Sequence, residues 1–228
     1  SNGKINMLKA MGAKVYVCPA HVSADDPRSY YQVAKRLHHE TANSVYINQY
    51  FNQLNADAHY NSTGPEIWRQ TNGEITHLIA ASGTGGTISG VARYLKEQNP
   101  NIQVWAIDPI GSLLTHYFQT GEVDMSYVHP YIAEGFGEDF VPANYDMSVI
   151  DHFEQVADKE GALMTRRLAK EEGLFCGYSA GSCFQGLLQL KDKLKPTDVV
   201  VCVFHDHGSR YVGKVYNDDW MKSKGFID

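Results

Sequence analysis

Short apolar runs alternate with longer stretches of helical spacing along most of this chain, and that alternation restricts the fold more than any other feature. Runs rich in β-branched and aromatic residues fall at 14–18, 76–81, 103–108, 174–177 and 198–204. Between them, residues 30–40, 87–98, 158–172 and 182–194 carry apolar positions at helical intervals, several opening on Ser, Thr or Asp as a cap. A strand that feeds a helix returns by a crossover, so successive strands run parallel. The expectation is an α/β fold: a mostly parallel twisted sheet flanked by helices. A helix-like run at 4–11 passes through Gly12 straight into the run at 14, so the array opens in mid-pattern. The Asn-rich stretch 48–61 interrupts the alternation with polar, turn-forming residues. It marks a boundary near Tyr50, with a smaller piece over 1–50 and the main domain over 51–228.

At 228 residues and 43% hydrophobic, such a chain buries a sizeable core without staples. Twenty Lys and Arg against 26 Asp and Glu give a net charge of −6, which leaves no basic field for nucleic acid. Any anion site must be local. No run approaches the roughly 20 apolar residues that cross a bilayer, so no membrane partner is expected and the cytoplasm is the expected compartment. Cys18, Cys176, Cys183 and Cys202 show no C-x-x-C spacing and read as reduced structural thiols.

Two strand-to-helix turns concentrate the chemistry. Gly83-Thr84-Gly85-Gly86-Thr87 follows the run at 76–81 and opens a helix. Its glycines let backbone N–H groups converge, its threonines add hydroxyls, and the helix N-terminus adds partial positive charge. This is an anion cradle suited to phosphate. It is neither of two common phosphate motifs: G-x-G-x-x-G needs glycine where Ile88 stands, and the Walker loop needs lysine where Val91 follows Gly90. The second turn, Gly177-Tyr178-Ser179-Ala180-Gly181, matches the G-x-S-x-G of hydrolase nucleophile elbows, with His205 or His207 downstream as the base. Only one strand follows Ser179, however, too few for the hydrolase order of nucleophile, acid and histidine. Two other readings of Ser179 stand: a hydrogen bond to a cofactor ring, or helix capping. His205-Asp206-His207 ends the last strand and reads as a pocket-lining loop, without the third ligand a metal needs.

In their order along the chain these segments resemble the fold-type-II pyridoxal-phosphate enzymes, specifically the cystathionine β-synthase and cysteine synthase family. The resemblance rests on residues 4–13, Asn48-Gln49-Tyr50, His59-Tyr60, residues 63–67, the G-T-G-G-T loop, Asp108-Pro109, residues 134–140, Ser179-Ala180-Gly181 and residues 217–220. It implies pyridoxal 5'-phosphate as cofactor, with Gly83, Thr84, Gly85, Gly86 and Thr87 on its phosphate and Ser179 on its pyridine nitrogen. A neutral hydroxyl there does not hold the ring protonated, which suits β-elimination and replacement. Gln49, Tyr50 and Gly135 fall on the substrate side. Ser-Ala-Gly at 179–181 and Glu134-Gly135 look like cystathionine β-synthase, where cysteine synthases show Ser-Ser-Gly and Gln-Gly. The implied reaction joins serine to homocysteine, the alternative being cysteine formation with a sulfide donor, and the implied assembly is a homodimer. Glu138 stands where many relatives carry tyrosine, and His205 and His207 where Pro and Ser are usual. The family's Schiff-base lysine falls before Ser1, so the catalytic lysine is expected outside this sequence.

Overall fold

Leu78 and Ala80 face one side of their strand and Ile79 and Ala81 the other, and all four are buried. A strand covered on both faces belongs in the middle of a parallel sheet. The computed structural model describes residues 2–19 and 22–228. It divides into two compact units, one reaching Asn48 and the other beginning at Gln49.

The first unit holds α1 (Asn2–Ala10) and α2 (Tyr30–Glu40). Ser29 caps α2, its hydroxyl accepting from the Gln32 amide at 3.3 Å and donating to the Ala24 carbonyl at 2.8 Å. The apolar run at 14–18 forms no strand, since it finds no ladder partner among the described residues. Met7, Leu8, Met11, Tyr16 and Val17 are exposed.

The second unit runs α3 (Leu54–Asn61), α4 (Thr63–Gln70), β1 (His77–Ala81), α5 (Gly86–Gln98), β2 (Gln103–Pro109), α6 (Leu114–Thr120), β3 (His152–Val156), α7 (Asp158–Glu172), α8 (Tyr178–Gln189), β4 (Val200–Cys202) and α9 (Asp218–Ser223). Its four strands are all parallel, in the order β3-β2-β1-β4. One core layer packs Leu78, Ala80, Val104 and Ala106 against Ile88, Val91 and Leu95 of α5. The other packs Ile79, Trp105 and Ile107 against α7 and α8 through Ala162, Tyr178 and Cys183. Gly181 lets α7 and α8 close together, because a Cβ there would sit 2.0 Å from the Thr165 hydroxyl and 2.5 Å from its amide nitrogen.

Four further elements differ from what the sequence predicts. The stretch 48–61 is not a plain interruption: its second half is α3, held by burial of Ala56 under α5 and not by helix propensity. The run at 174–177 makes one antiparallel bridge, Cys176 to His207, because Leu174 and Phe175 face outward and leave no second row of pairing. The edge strand β3, His-Phe-Glu-Gln-Val, went unread because only Phe153 and Val156 of it are fully buried. In addition, α8 begins at Tyr178, not at 182, which puts Ser179 inside the first helical turn.

Candidate active site

The sheet order fixes where a ligand can sit. From β1 the chain crosses to β2 on one side, while β4 returns to β1 on the other, so the crevice beyond the carboxyl ends of β1 and β4 is a topological switch point. A cavity of about 420 Å³ opens there. Ala81, Gly83, Thr84, Gly85, Thr87 and Ile88 line it from β1, and His205 from beyond β4. Gln49 and Tyr50 close one side, and Tyr131, Ala133 and the 135–138 segment another.

The loop after β1 is built to present backbone donors. Ser82 fastens it from below: its amide donates to the Ile107 carbonyl at 2.8 Å, and its hydroxyl donates in a short hydrogen bond to the buried Asp108 carboxylate. Asp108 also accepts from the Thr115 amide at 3.1 Å and hydroxyl at 2.7 Å. Burial pushes its pKa up to about 6, and the hydrogen bonds from Ser82 and Thr115 oppose the rise. Gly85 turns the chain at φ +84°, in the left-handed region, and α5 starts at the next residue. The amides of residues 84–88 have no hydrogen-bond partner among the described residues. Five unpaired N–H groups at the N-terminus of a largely buried helix are donors that an anion could engage. Glycine at 85 and 86 answers a packing demand as well: a Cβ at 85 would lie 2.6 Å from Tyr145 Cα, and one at 86 would lie 2.0 Å from Asn55 Oδ1.

Asn55 ties the loop to its neighbour, donating to the Thr84 hydroxyl at 3.2 Å and the Gln49 carbonyl at 2.9 Å. Asn144 donates to the same carbonyl at 2.6 Å, so Gln49 is fixed by two side-chain amides. The Asp158 carboxylate, at the start of α7, accepts from the amides of Ile132 at 2.7 Å and Ala133 at 2.8 Å and so sets the wall that leads to Gly135. Gly135 has φ +89° and open space at its Cβ position.

Ser179 is not a lining residue of the cavity; it is 4% exposed, in the first turn of α8. It belongs to the same sheet edge, because the Gly177 amide just before it donates to the Asp206 carbonyl, next to the cavity residue His205. Neither reading of Ser179 that excludes a ligand matches the geometry. The N-cap of α8 is Gly177 with no side-chain cap, and Ser182 instead donates back to the Tyr178 carbonyl at 3.2 Å. No histidine hydrogen-bonds to Ser179 among the described residues, as a serine nucleophile would require. Its hydroxyl has no partner among them at all. His207 lies outside the cavity: its ring accepts from the Ser209 amide at 3.3 Å and meets Phe175 edge-on. Among the described residues no three metal-ligating side chains converge.

Among the described residues Glu138 is the one carboxyl lining the cavity, and burial pushes its pKa up to about 8, helped by Asp139 and Asp108 and opposed by a hydrogen bond with Tyr50. At neutral pH it is mostly the neutral acid, so it adds no negative charge beside the anion site. The native state therefore binds this proton more tightly than the unfolded chain does. Its stabilising effect is complete below the ordinary carboxylate range and drains away as pH rises toward about 8. Glu138→Gln, which cannot ionise, is expected to gain stability over the wild type between about pH 5 and pH 8, on the order of 4 kcal/mol at about 1.4 kcal/mol per unit. Thermal denaturation across that range checks it: a constant difference would mean that Glu138 ionises normally.

The residues singled out in the sequence mostly meet in this one place. Gln49, Tyr50, Gly83, Thr84, Gly85, Thr87 and Gly135 all line the cavity and Gly86 opens the helix behind it, whereas Ser179 does not line it and stands in the first turn of α8. Sequence reasoning did not find Asn55 or Asn144, whose signal was only their place in polar stretches, or the part played by His59. Among the described residues no lysine lines the cavity.

Free amides and an unpartnered hydroxyl at one sheet edge are an arrangement that can take an anionic ligand. Residues 1–206 match the family "Pyridoxal-phosphate dependent enzyme", to which this chain belongs. Among its relatives, cystathionine β-synthase of Dictyostelium discoideum is 40% identical over 228 residues, covering 100% of this chain and 45% of that protein. Cysteine synthase 1 of Emericella nidulans is 34% identical over 99% of this chain and 61% of its own length. The crystal structure of the O-acetylserine-dependent cystathionine β-synthase of Helicobacter pylori superimposes with a TM-score of 0.83 at 33% identity, covering 95% of this chain and 67% of that one. The chain thus spans less than half the length of the Dictyostelium relative. Among the described residues no helix is long and apolar enough to cross a membrane.

Proposed function

We propose that the protein carrying this chain catalyses pyridoxal-phosphate-dependent β-replacement, exchanging the hydroxyl of serine for the thiol of homocysteine to give cystathionine. The observation that carries the reading is the pairing of five unpartnered amides at residues 84–88 with the unpartnered Ser179 hydroxyl on the same sheet edge. When bound, the cofactor supplies an electron sink that eases bond breaking at the α- and β-carbons of an amino acid. The residues present fit it. The amides of 84–88 and the hydroxyls of Thr84 and Thr87 hold the phosphate, and Ser179 offers the ring nitrogen a neutral partner. Gln49, Tyr50 and Gly135 face the amino acid. Glu138, as the neutral acid, bonds with Tyr50 without repelling the phosphate or a substrate carboxylate. In this reading, by family resemblance, the covalent anchor is a lysine outside residues 1–228.

Cystathionine is preferred over cysteine as product on the strength of Glu134-Gly135 and Ser179-Ala180-Gly181, and a cytoplasmic homodimer is part of the same reading by family resemblance. The test is product analysis by mass spectrometry on the full-length protein, supplied with either serine and homocysteine or O-acetylserine and sulfide. Cystathionine from the first pair is expected to dominate. Cysteine as the main product would overturn the substrate assignment, and a cofactor-free, inactive protein would overturn the whole reading.

A further inference from the structure

Behind the anion cradle lies a hydrogen-bonded chain for which the phosphate contacts themselves give no reason. His59, on α3, places Nδ1 2.9 Å from the Thr63 hydroxyl at the start of α4 and Nε2 3.2 Å from the Thr87 hydroxyl in the first turn of α5. One imidazole thus joins three helices, and its far end is a side chain that lines the cavity. Burial holds the pKa of His59 below the usual histidine range. His205 is also held low, by the protein packed around its solvent-reached ring and then by its proximity to His59, with Asp206 opposing. At neutral pH the ring of His59 is uncharged, so one nitrogen donates and the other accepts.

Two arrangements satisfy the chain. In one, Thr87 donates to Nε2 and shows only lone pairs to the cavity. In the other, Nε2–H donates to Thr87, Thr63 donates to Nδ1, and the Thr87 proton is left to point at whatever occupies the cradle. Every neighbouring backbone group in the cradle is a donor, so only the second arrangement matches an anion there.

We propose that His59 is a positioning residue: as the Nε2–H tautomer it donates to Thr87 and turns the Thr87 hydroxyl proton toward a phosphate in the 83–88 cradle. By linkage, phosphate and tautomer favour one another: the anion selects the Nε2–H form, and that form raises affinity for the anion. This inference rests on the phosphate reading of the cradle, and its test separates the two.

The full-length protein is titrated with pyridoxal phosphate, and cofactor affinity is read for His59→Leu, His59→Gln, Thr87→Val and the His59→Leu/Thr87→Val pair. His59→Leu is expected to weaken binding about tenfold, the effect of losing one oriented hydrogen bond to a charged group. In the Thr87→Val background it should add little, because no hydroxyl is left to orient. His59→Gln keeps an N–H donor and should recover most of the affinity. Long-range proton–nitrogen NMR on the histidine-labelled wild type should find Nε2 protonated when pyridoxal phosphate or inorganic phosphate is bound. An equal effect of His59→Leu in both backgrounds, or an Nδ1–H tautomer in the bound state, would overturn the positioning role while leaving the cradle intact. Unchanged affinity in Thr87→Val would overturn both.

Discussion

Gly85→Val in the full-length protein is expected to abolish cofactor binding and to destabilise the fold by about 3 kcal/mol or more. Two independent demands meet at this residue. Its φ of +84° lies in the left-handed region, which is least tolerable for a β-branched side chain, and a Cβ would approach Tyr145 Cα at 2.6 Å. Tyr145 cannot easily retreat, because it is 8% exposed and packs against Phe153 of β3. The chain at 85 must therefore move, and with it the amides that form the anion site. The sequence alone suggests steric exclusion of the phosphate as the cause. The structure adds a nearer obstacle, the protein's own backbone, so the variant should lose stability even without cofactor. Denaturation of apo and cofactor-loaded protein, with a pyridoxal-phosphate titration, separates the two effects. A variant of wild-type stability that fails to bind would place the obstacle at the ligand alone.

Ser179→Ala is expected to keep the cofactor and lose turnover by about a hundredfold or more, the scale for removing one donor from a site that stabilises developing charge. The hydroxyl holds nothing else: it caps no helix and bonds no described side chain, so its removal should leave stability nearly unchanged. Phosphate contacts and a covalent anchor retain the cofactor without it. Ser179→Asp should instead alter how the reaction partitions, since a carboxylate favours a protonated ring nitrogen. Steady-state kinetics and the cofactor absorbance spectrum read both variants. Unaltered kinetics in both would remove Ser179 from the site.

Legibility differed from element to element for physical reasons. β1 and β2 were plain because both of their faces are buried, which writes an unbroken apolar run, whereas the edge strand β3 writes a mostly polar one. α2 and α7 were read to the residue, one capped by Ser29 and the other ended by Gly173 at φ +70°. The start of α8 was missed because its N-cap is a glycine without a side-chain signal. The cradle was visible because its glycines and threonines are contiguous. The supports of the cradle were not: Asn55 and His59 act on it from α3, 29 and 28 residues upstream of Thr84 and Thr87, and only the packing of α3 on α5 brings them there.

The central claim is that this chain supplies the phosphate cradle and the ring partner of a pyridoxal-phosphate site. A crystal structure of the cofactor-loaded full-length protein tests it most directly. The account expects the phosphate within hydrogen-bond distance of the amides of 84–88, the pyridine nitrogen against Ser179 Oγ, and the covalent link on a lysine outside residues 1–228. A phosphate bound elsewhere, or a link to any lysine of this chain, would contradict it.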